Sequence, residues 1–178
     1  SITNAWPWGY VQVAARFLKV DLQNKGLGGA CLLEKEVADW LSGEGAFDLI
    51  TCELGINARG RYTPEEFEER VRYLLGALVE KHPDTPVVGL NIFPNCLSRA
   101  WTGLPEEEGG ATAKEEAFNA VVRRVCSGLD APNLHFIEGS EILRDFAGLG
   151  GDLLHPSPYG HATMGHNLAA KLRELIGG

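Results

Sequence analysis

The chain has no apolar run approaching the ~18–20 residues that a membrane span requires. Yet 44% of its 178 residues are hydrophobic. The first fact argues against a membrane-embedded class, and the second against disorder. Positive charge is also short, with 16 Lys and Arg against 24 Asp and Glu and a formal net charge of −8. Nucleic acid and anionic membrane surfaces are therefore poor partners, because both are bound mainly through clustered cations. Cysteine is scarce. Cys31, Cys52, Cys96 and Cys126 include no C-x-x-C pair, and no His stands at zinc-ligand spacing from them. Neither a disulfide-stapled scaffold nor a structural zinc site is indicated. Cys52 lies in an apolar strand pattern and Cys126 in an apolar helical one, so buried thiols are expected there. The opening SITNAWPWGY has no basic start followed by an apolar stretch, so no signal peptide is visible. A soluble protein is expected, with the cytoplasm slightly favoured.

What is present is an alternation of helical and strand patterns within the length of one domain. Residues 10–19 place apolar groups at helical spacing, and VDLQN (20–24) is short and β-leaning before a glycine cluster. Residues 33–42 read as a helix that Gly43 helps to end. FDLITCEL (47–54) and PVVGLNIF (86–93) are nearly continuous apolar runs, as expected of strands buried on both faces. Between them, Thr63-Pro64-Glu65-Glu66 is a helix start: a capping Thr, a proline suited to the first helical position, and Glu three residues after the cap. That helix runs to about Lys81 with apolar positions Phe67, Val71, Leu74, Leu75 and Leu78. A long amphipathic helix over 112–129, a strand NLHFIE (133–138) and a final helix over 158–176 complete the pattern. Glu106–Glu108 beside two glycines read as a loop. Strand and helix alternating with short connections imply a parallel sheet covered by helices on both faces. In such sheets ligands sit beyond the C-terminal ends of the strands.

Three motifs fall at those ends. In Gly151-Asp152-Leu153-Leu154-His155-Pro156, an Asp three residues before a His can fold back onto the imidazole, fix its tautomer and leave the other nitrogen to take a proton from a hydroxyl. Alone, D-x-x-H is more often a turn aspartate followed by a loop histidine. In Glu53-Leu54-Gly55-Ile56-Asn57, an Asn just past a buried strand offers an amide donor to an oxyanion, or merely turns the chain. Gly26, Gly28 and Gly29 let backbone N–H groups approach a ligand, or simply form a tight loop. No Lys-Ser/Thr follows them, so a nucleotide loop is a poor match.

Taken in order, these segments resemble the SGNH (GDSL-like) hydrolases. Ser1-Ile2-Thr3 matches the second half of that family's serine block, Gly29 in NKGLGG the second block, and Asn57 in LGIN the third. Asp152 and His155 match the last. Ala58 departs from the pattern, standing where an acidic residue commonly follows the Asn. The family's first strand and the Gly-x before its serine would lie ahead of Ser1. A natural chain extending upstream is expected, in some relatives with an N-terminal β-domain.

The resemblance implies a flavodoxin-like three-layer α/β/α fold around a parallel sheet, and a serine esterase or acyl-hydrolase. Ser1 would be the nucleophile, His155 the base and then the acid, and Asp152 its orienter. The oxyanion hole would combine the N–H groups of Ser1 and Gly29 with the Asn57 amide, so that Ser1, Asn57 and His155 converge. No cofactor or metal is required. Trp6, Trp8 and Tyr10 follow the serine. Aromatic faces stack on sugar rings, which would suit a small ester such as an O-acetylated carbohydrate. His82, His135, His161 and His166 read as structural or solvent-facing. Two other readings stand beside this one. One is a non-catalytic ligand-binding module on the same fold, favoured if Ser1 is the mature terminus. The other is a flavodoxin-like phosphate binder using the GLGG loop.

Overall fold

The computed structural model describes residues 8–98 and 110–176. Ser1, Trp6 and Glu106–Glu108 lie outside the described residues. The chain divides into two compact units, one of Ser1–Ala30, Phe93–Pro105 and Gly139–Gly178, the other of Cys31–Ile92 and Glu106–Glu138.

The second unit holds the sheet. Strands β1 (Ile50–Glu53), β2 (Val87–Leu90) and β3 (Leu134–Ile137) are parallel in the order β1-β2-β3, with Ile50 opposite Val87 and Leu90 opposite Ile137. Each apolar run contributes four residues of ladder, fewer than the runs suggested. All four residues of β2 are buried, as a strand central in a parallel sheet requires. Three helices belong to this unit: α2 (Lys35–Gly43), α3 (Pro64–Lys81) and α4 (Ala111–Gly128). The start of α3 forms the expected capping box. Thr63 Oγ1 accepts the Glu66 N–H at 3.2 Å, and Glu66 Oε2 accepts the Thr63 N–H at 2.8 Å. Its buried face is Phe67, Val71, Leu74, Leu75 and Leu78, the stripe read from the sequence. Phe67 stacks on Phe118 of α4 with ring centroids 4.6 Å apart, both fully buried, and this pair joins the two helices in the core.

The first unit is helical. Among the described residues it comprises α1 (Tyr10–Leu18), a short α5 (Gly139–Ile142), a 3₁₀ turn (Phe146–Gly148) and α6 (Pro158–Ile176), with α1 packed on α6. Gly9 precedes α1 and has no side chain with which to cap it. The cap comes from the partner helix instead: the Tyr10 N–H donates to Nδ1 of His161, at 3.3 Å. At the other end Lys19 takes the left-handed conformation, φ 59°, and the N–H of Val20 returns to the carbonyl of Ala15.

One expectation fails. VDLQN does not form a strand; residues 20–24 are exposed, outside any helix or strand, and pair with no strand among the described residues. A strand exists only through its ladder, and β-leaning side chains do not replace one. Among the described residues, no helix is long and apolar enough to cross a membrane.

The tightest backbone approach in the first unit is Gly160 of α6 against Gly148, where an added Cβ would lie 1.9 Å from the Gly148 carbonyl oxygen. Gly160→Ala is therefore expected to destabilise by about 3 kcal/mol, the upper part of the range for overpacking. Gly43→Ala, where an added Cβ meets nothing within 4 Å, serves as the control and is expected to be near neutral. Urea unfolding of both variants checks this.

Candidate active site

The loop between the 3₁₀ turn and α6 is folded by its own backbone. Leu149 and Pro156 form an antiparallel bridge, and the Gly150 N–H donates to the His155 carbonyl at 2.7 Å. Leu153 takes φ 54°, its N–H bonds the Gly150 carbonyl at 3.0 Å, and its carbonyl accepts the Cys96 N–H at 2.9 Å. Ser157 closes the loop by capping α6, accepting the Gly160 N–H on Oγ at 3.0 Å, with Pro158 at the first helical position.

This loop brings Asp152 and His155 together. Asp152 Oδ1 accepts the N–H groups of Leu154 and His155 at 3.0 and 2.9 Å, and Oδ2 meets His155 Nδ1 at 2.6 Å. The imidazole bond and then the two backbone donors hold the carboxyl well below the usual carboxylate range. An ionised carboxylate can only accept, so the proton on this bond belongs to Nδ1. In a neutral ring of this tautomer Nε2 carries the lone pair that a general base needs. Both side chains are about half exposed, so the pair is open to solvent. The reading of Asp152 as a plain turn residue is thus incomplete, since one oxygen makes the turn and the other holds the ring.

Asn57 belongs to the second unit. It opens a 3₁₀ turn (Ala58–Gly60) but makes no side-chain cap to it. Its Oδ1 instead accepts the Cys31 N–H at 3.2 Å. A backbone N–H can bond only the oxygen, which assigns the amide's two ends and leaves Nδ2 as the donor end. The preceding Gly55 has φ 126°, and a Cβ there would lie 2.8 Å from Cγ1 of Ile92, so the turn onto Asn57 depends on glycine. Ala58, which breaks the sequence pattern, is fully buried in the core of this unit. An acid there would need a partner of its own. Gly29 is an exposed turn residue of the first unit, with φ 73°.

A model of the GDSL-like lipase/acylhydrolase family matches residues 1–163. The chain belongs to that family. No curated protein sequence matches it. Among solved structures it is similar to the salicylyl-acyltransferase SsfX3 from a tetracycline biosynthetic pathway, with a TM-score of 0.75 and 21% identity over 93% of this chain and 48% of that one. It thus spans about half the length of that relative. It is also similar to a carbohydrate acetylesterase family member from Sinorhizobium meliloti, with a TM-score of 0.67 and 19% identity over 98% and 89% of the two chains. An M. smegmatis aryl esterase follows, with a TM-score of 0.65 and 19% identity over 94% and 85%. At these identities the likeness shows the fold, and it is the flavodoxin-like α/β fold of the SGNH hydrolases expected from the sequence.

Reading the sequence of this GDSL-like protein missed several polar groups around the motifs. His161, the cap of α1, is buried, and burial holds its pKa below the ordinary 6.5. His82 bonds the Ser42 carbonyl through Nε2 at 3.1 Å, and the exposed His166 lies against the Phe17 ring at 3.9 Å. His135 is half-buried in β3. Arg59, in the turn after Asn57, pairs with the buried Glu115 of α4. Charged residues scattered at helical spacing gave no sign of this pairing. Among the described residues no group of three or more His, Cys, Asp or Glu is placed to hold a metal ion.

Glu53, four residues before Asn57, has a buried Oε1 with no hydrogen-bond partner among the described residues. Burial pushes its carboxyl from 4.5 up to about 7. Between those values the unfolded chain has released a proton that the folded chain keeps, so stability falls as pH rises through the window. Such a shift corresponds to roughly 3 kcal/mol. Glu53→Gln keeps the shape without the charge. It is expected to be more stable than wild type near pH 8 by up to that amount, with the difference vanishing near pH 4. Urea unfolding at both pH values checks it, and a pH-independent difference would exclude Glu53 as the group.

Proposed function

We propose that the protein is a serine esterase that cleaves small acyl esters through a Ser1 acyl-enzyme. The observation that carries this reading is the Asp152–His155 pair, with an ionised carboxylate held against Nδ1. Family membership and the position of Ser1 in the family's serine block support it. His155 Nε2 takes the Ser1 proton as the hydroxyl attacks the acyl carbon, then returns it to the departing alcohol. Water repeats the cycle and frees the acid. The negative oxygen of each tetrahedral intermediate is met by the N–H groups of Ser1 and Gly29 and by Nδ2 of Asn57. Asp152 stays ionised and stabilises the imidazolium. No cofactor enters this scheme.

For substrate, we favour an O-acetylated carbohydrate. The carbohydrate acetylesterase neighbour and a second one, a carbohydrate esterase family 3 structure, point to this class. Trp8, early in the chain and 64% exposed, offers a face for stacking on a sugar ring.

The test is labelling of the full-length protein with an organophosphonate ester, read by mass spectrometry, beside turnover of acetylated sugars. Label is expected on Ser1, and His155→Ala should abolish nearly all of it. Asp152→Asn and Asn57→Ala should each leave a measurable fraction, because each removes one part of the apparatus. His135→Gln, away from the motif, should retain most activity. A folded protein that binds an acetylated sugar but neither labels at Ser1 nor turns over esters would be a binding module instead.

A further inference from the structure

Beneath the Asn57 turn, the second unit carries a charged pair out of water. Arg59 Nη1 donates to Glu115 Oε2, with side-chain exposures of 17% and 3%. Buried ion pairs are weak sources of net stability, because removing two charges from water offsets most of their attraction. What such a pair supplies is a fixed geometry, and its placement here shows what it fixes. Arg59 lies two residues past Asn57, in the same 3₁₀ turn. Its own N–H bonds the Gly55 carbonyl at 2.9 Å. Glu115 sits near the start of α4, and one helical turn further on Asn119 Oδ1 accepts the Ile92 N–H at 3.1 Å. One face of α4 therefore holds both the chain leaving β2 and the turn that carries Asn57. Among the described residues the Asn57 amide has only the 3.2 Å bond from Cys31 to steady it, and the turn begins at a glycine, the residue with least intrinsic restraint. The ion pair is a polar tie between this turn and α4.

We propose that Arg59 and Glu115 are positioning residues for Asn57, holding its Nδ2 where negative charge develops on the acyl oxygen. This rests on the reading of Asn57 as an oxyanion donor. A donor displaced by a fraction of an ångström stabilises the transition state less while substrate binding is little changed.

The experiment is steady-state hydrolysis of 4-nitrophenyl acetate by the full-length protein, well below the lowest Tm. The variants are Glu115→Gln, Arg59→Lys, Arg59→Met, Asn57→Ala and the double variant Glu115→Gln/Asn57→Ala. Glu115→Gln is expected to lower kcat about 10- to 100-fold with KM within about twofold. Arg59→Lys, which keeps the charge, should lose less kcat than Arg59→Met. In the Asn57→Ala background the Glu115→Gln loss should largely disappear, since the group it positions is gone. A fall in Tm with unchanged kcat would overturn the proposal, as would losses that multiply in the double variant. Either result makes the pair an anchor of the fold alone. If Asn57→Ala leaves kcat unchanged, the oxyanion reading fails and the proposal with it. If Glu115→Gln does not fold, the Lys against Met comparison at Arg59, repeated with Asn57→Ala, decides the matter by the same criterion.

Discussion

The constraint on which the sheet unit depends is the burial of strand β2 and of Asn91 and Ile92 just beyond it. Its side chains are all buried, so the backbone groups just beyond its ladder must be satisfied by protein. Below the strand, Asn133 Nδ2 donates to the Thr85 carbonyl at 3.1 Å and to that of His82 at 2.9 Å. Above it, Asn119 accepts the Ile92 N–H. The second bond fixes the height of α4 against the sheet. Once that height is set, Glu115 reaches Arg59 and Phe118 meets Phe67 without further adjustment. Hydrogen bonding at one strand end thus fixes the placement of a helix, and the helix fixes a turn. A hydrophobic core alone would tolerate small slides of α4, because apolar contact is not directional.

The parts of this fold legible in the sequence are those with a local cause. The α3 start could be read because its cap, proline and returning glutamate lie within four residues. The final helix, Pro158–Ile176, could be read to its full extent for a similar reason, with Pro158 at its start. Strand positions were legible as apolar runs, but their lengths were not. Ladder length is set by where both neighbours are extended together, and a single run carries no record of its neighbours. VDLQN is the clearest case, with strand-like residues and no ladder among the described residues. Long-range polar contacts were invisible for the same reason. Nothing near Glu115 in the chain names Arg59, and nothing near Gly9 names His161.

The candidate site divides along the same line. D-x-x-H is a local motif, and three residues suffice to fold the carboxylate onto both the backbone and the ring. Its identification from sequence needed the family resemblance only to raise its weight above an ordinary turn. Asn57 could be placed at a strand end, but the direction of its amide could not, since that is set by the Cys31 N–H 26 residues earlier. Ala58 stood out in sequence as a departure from a pattern. In the structure it is an apolar residue in a fully buried place, and the departure agrees with its surroundings.

The cap of α1 has a consequence for how this protein meets acid. Nδ1 of His161 accepts the hydrogen bond of the Tyr10 N–H, so it serves only while the ring is neutral. Acidification charges the imidazole more readily in the unfolded chain than in the folded one, because burial holds the folded pKa down. The contribution of His161 is therefore present above its ordinary pKa and fades as pH falls below it. A protonated ring would also set a cation at the positive end of the α1 dipole. Helix α1 and its seat on α6 are thus joined by a fastening that acid releases, in the same unit as the Asp152–His155 loop. An acid limb in a pH–rate curve then carries two contributions, titration within the proposed site and the loosening of a scaffold. They separate by reversibility and by cooperativity, because one is a single-proton event and the other involves a whole helix.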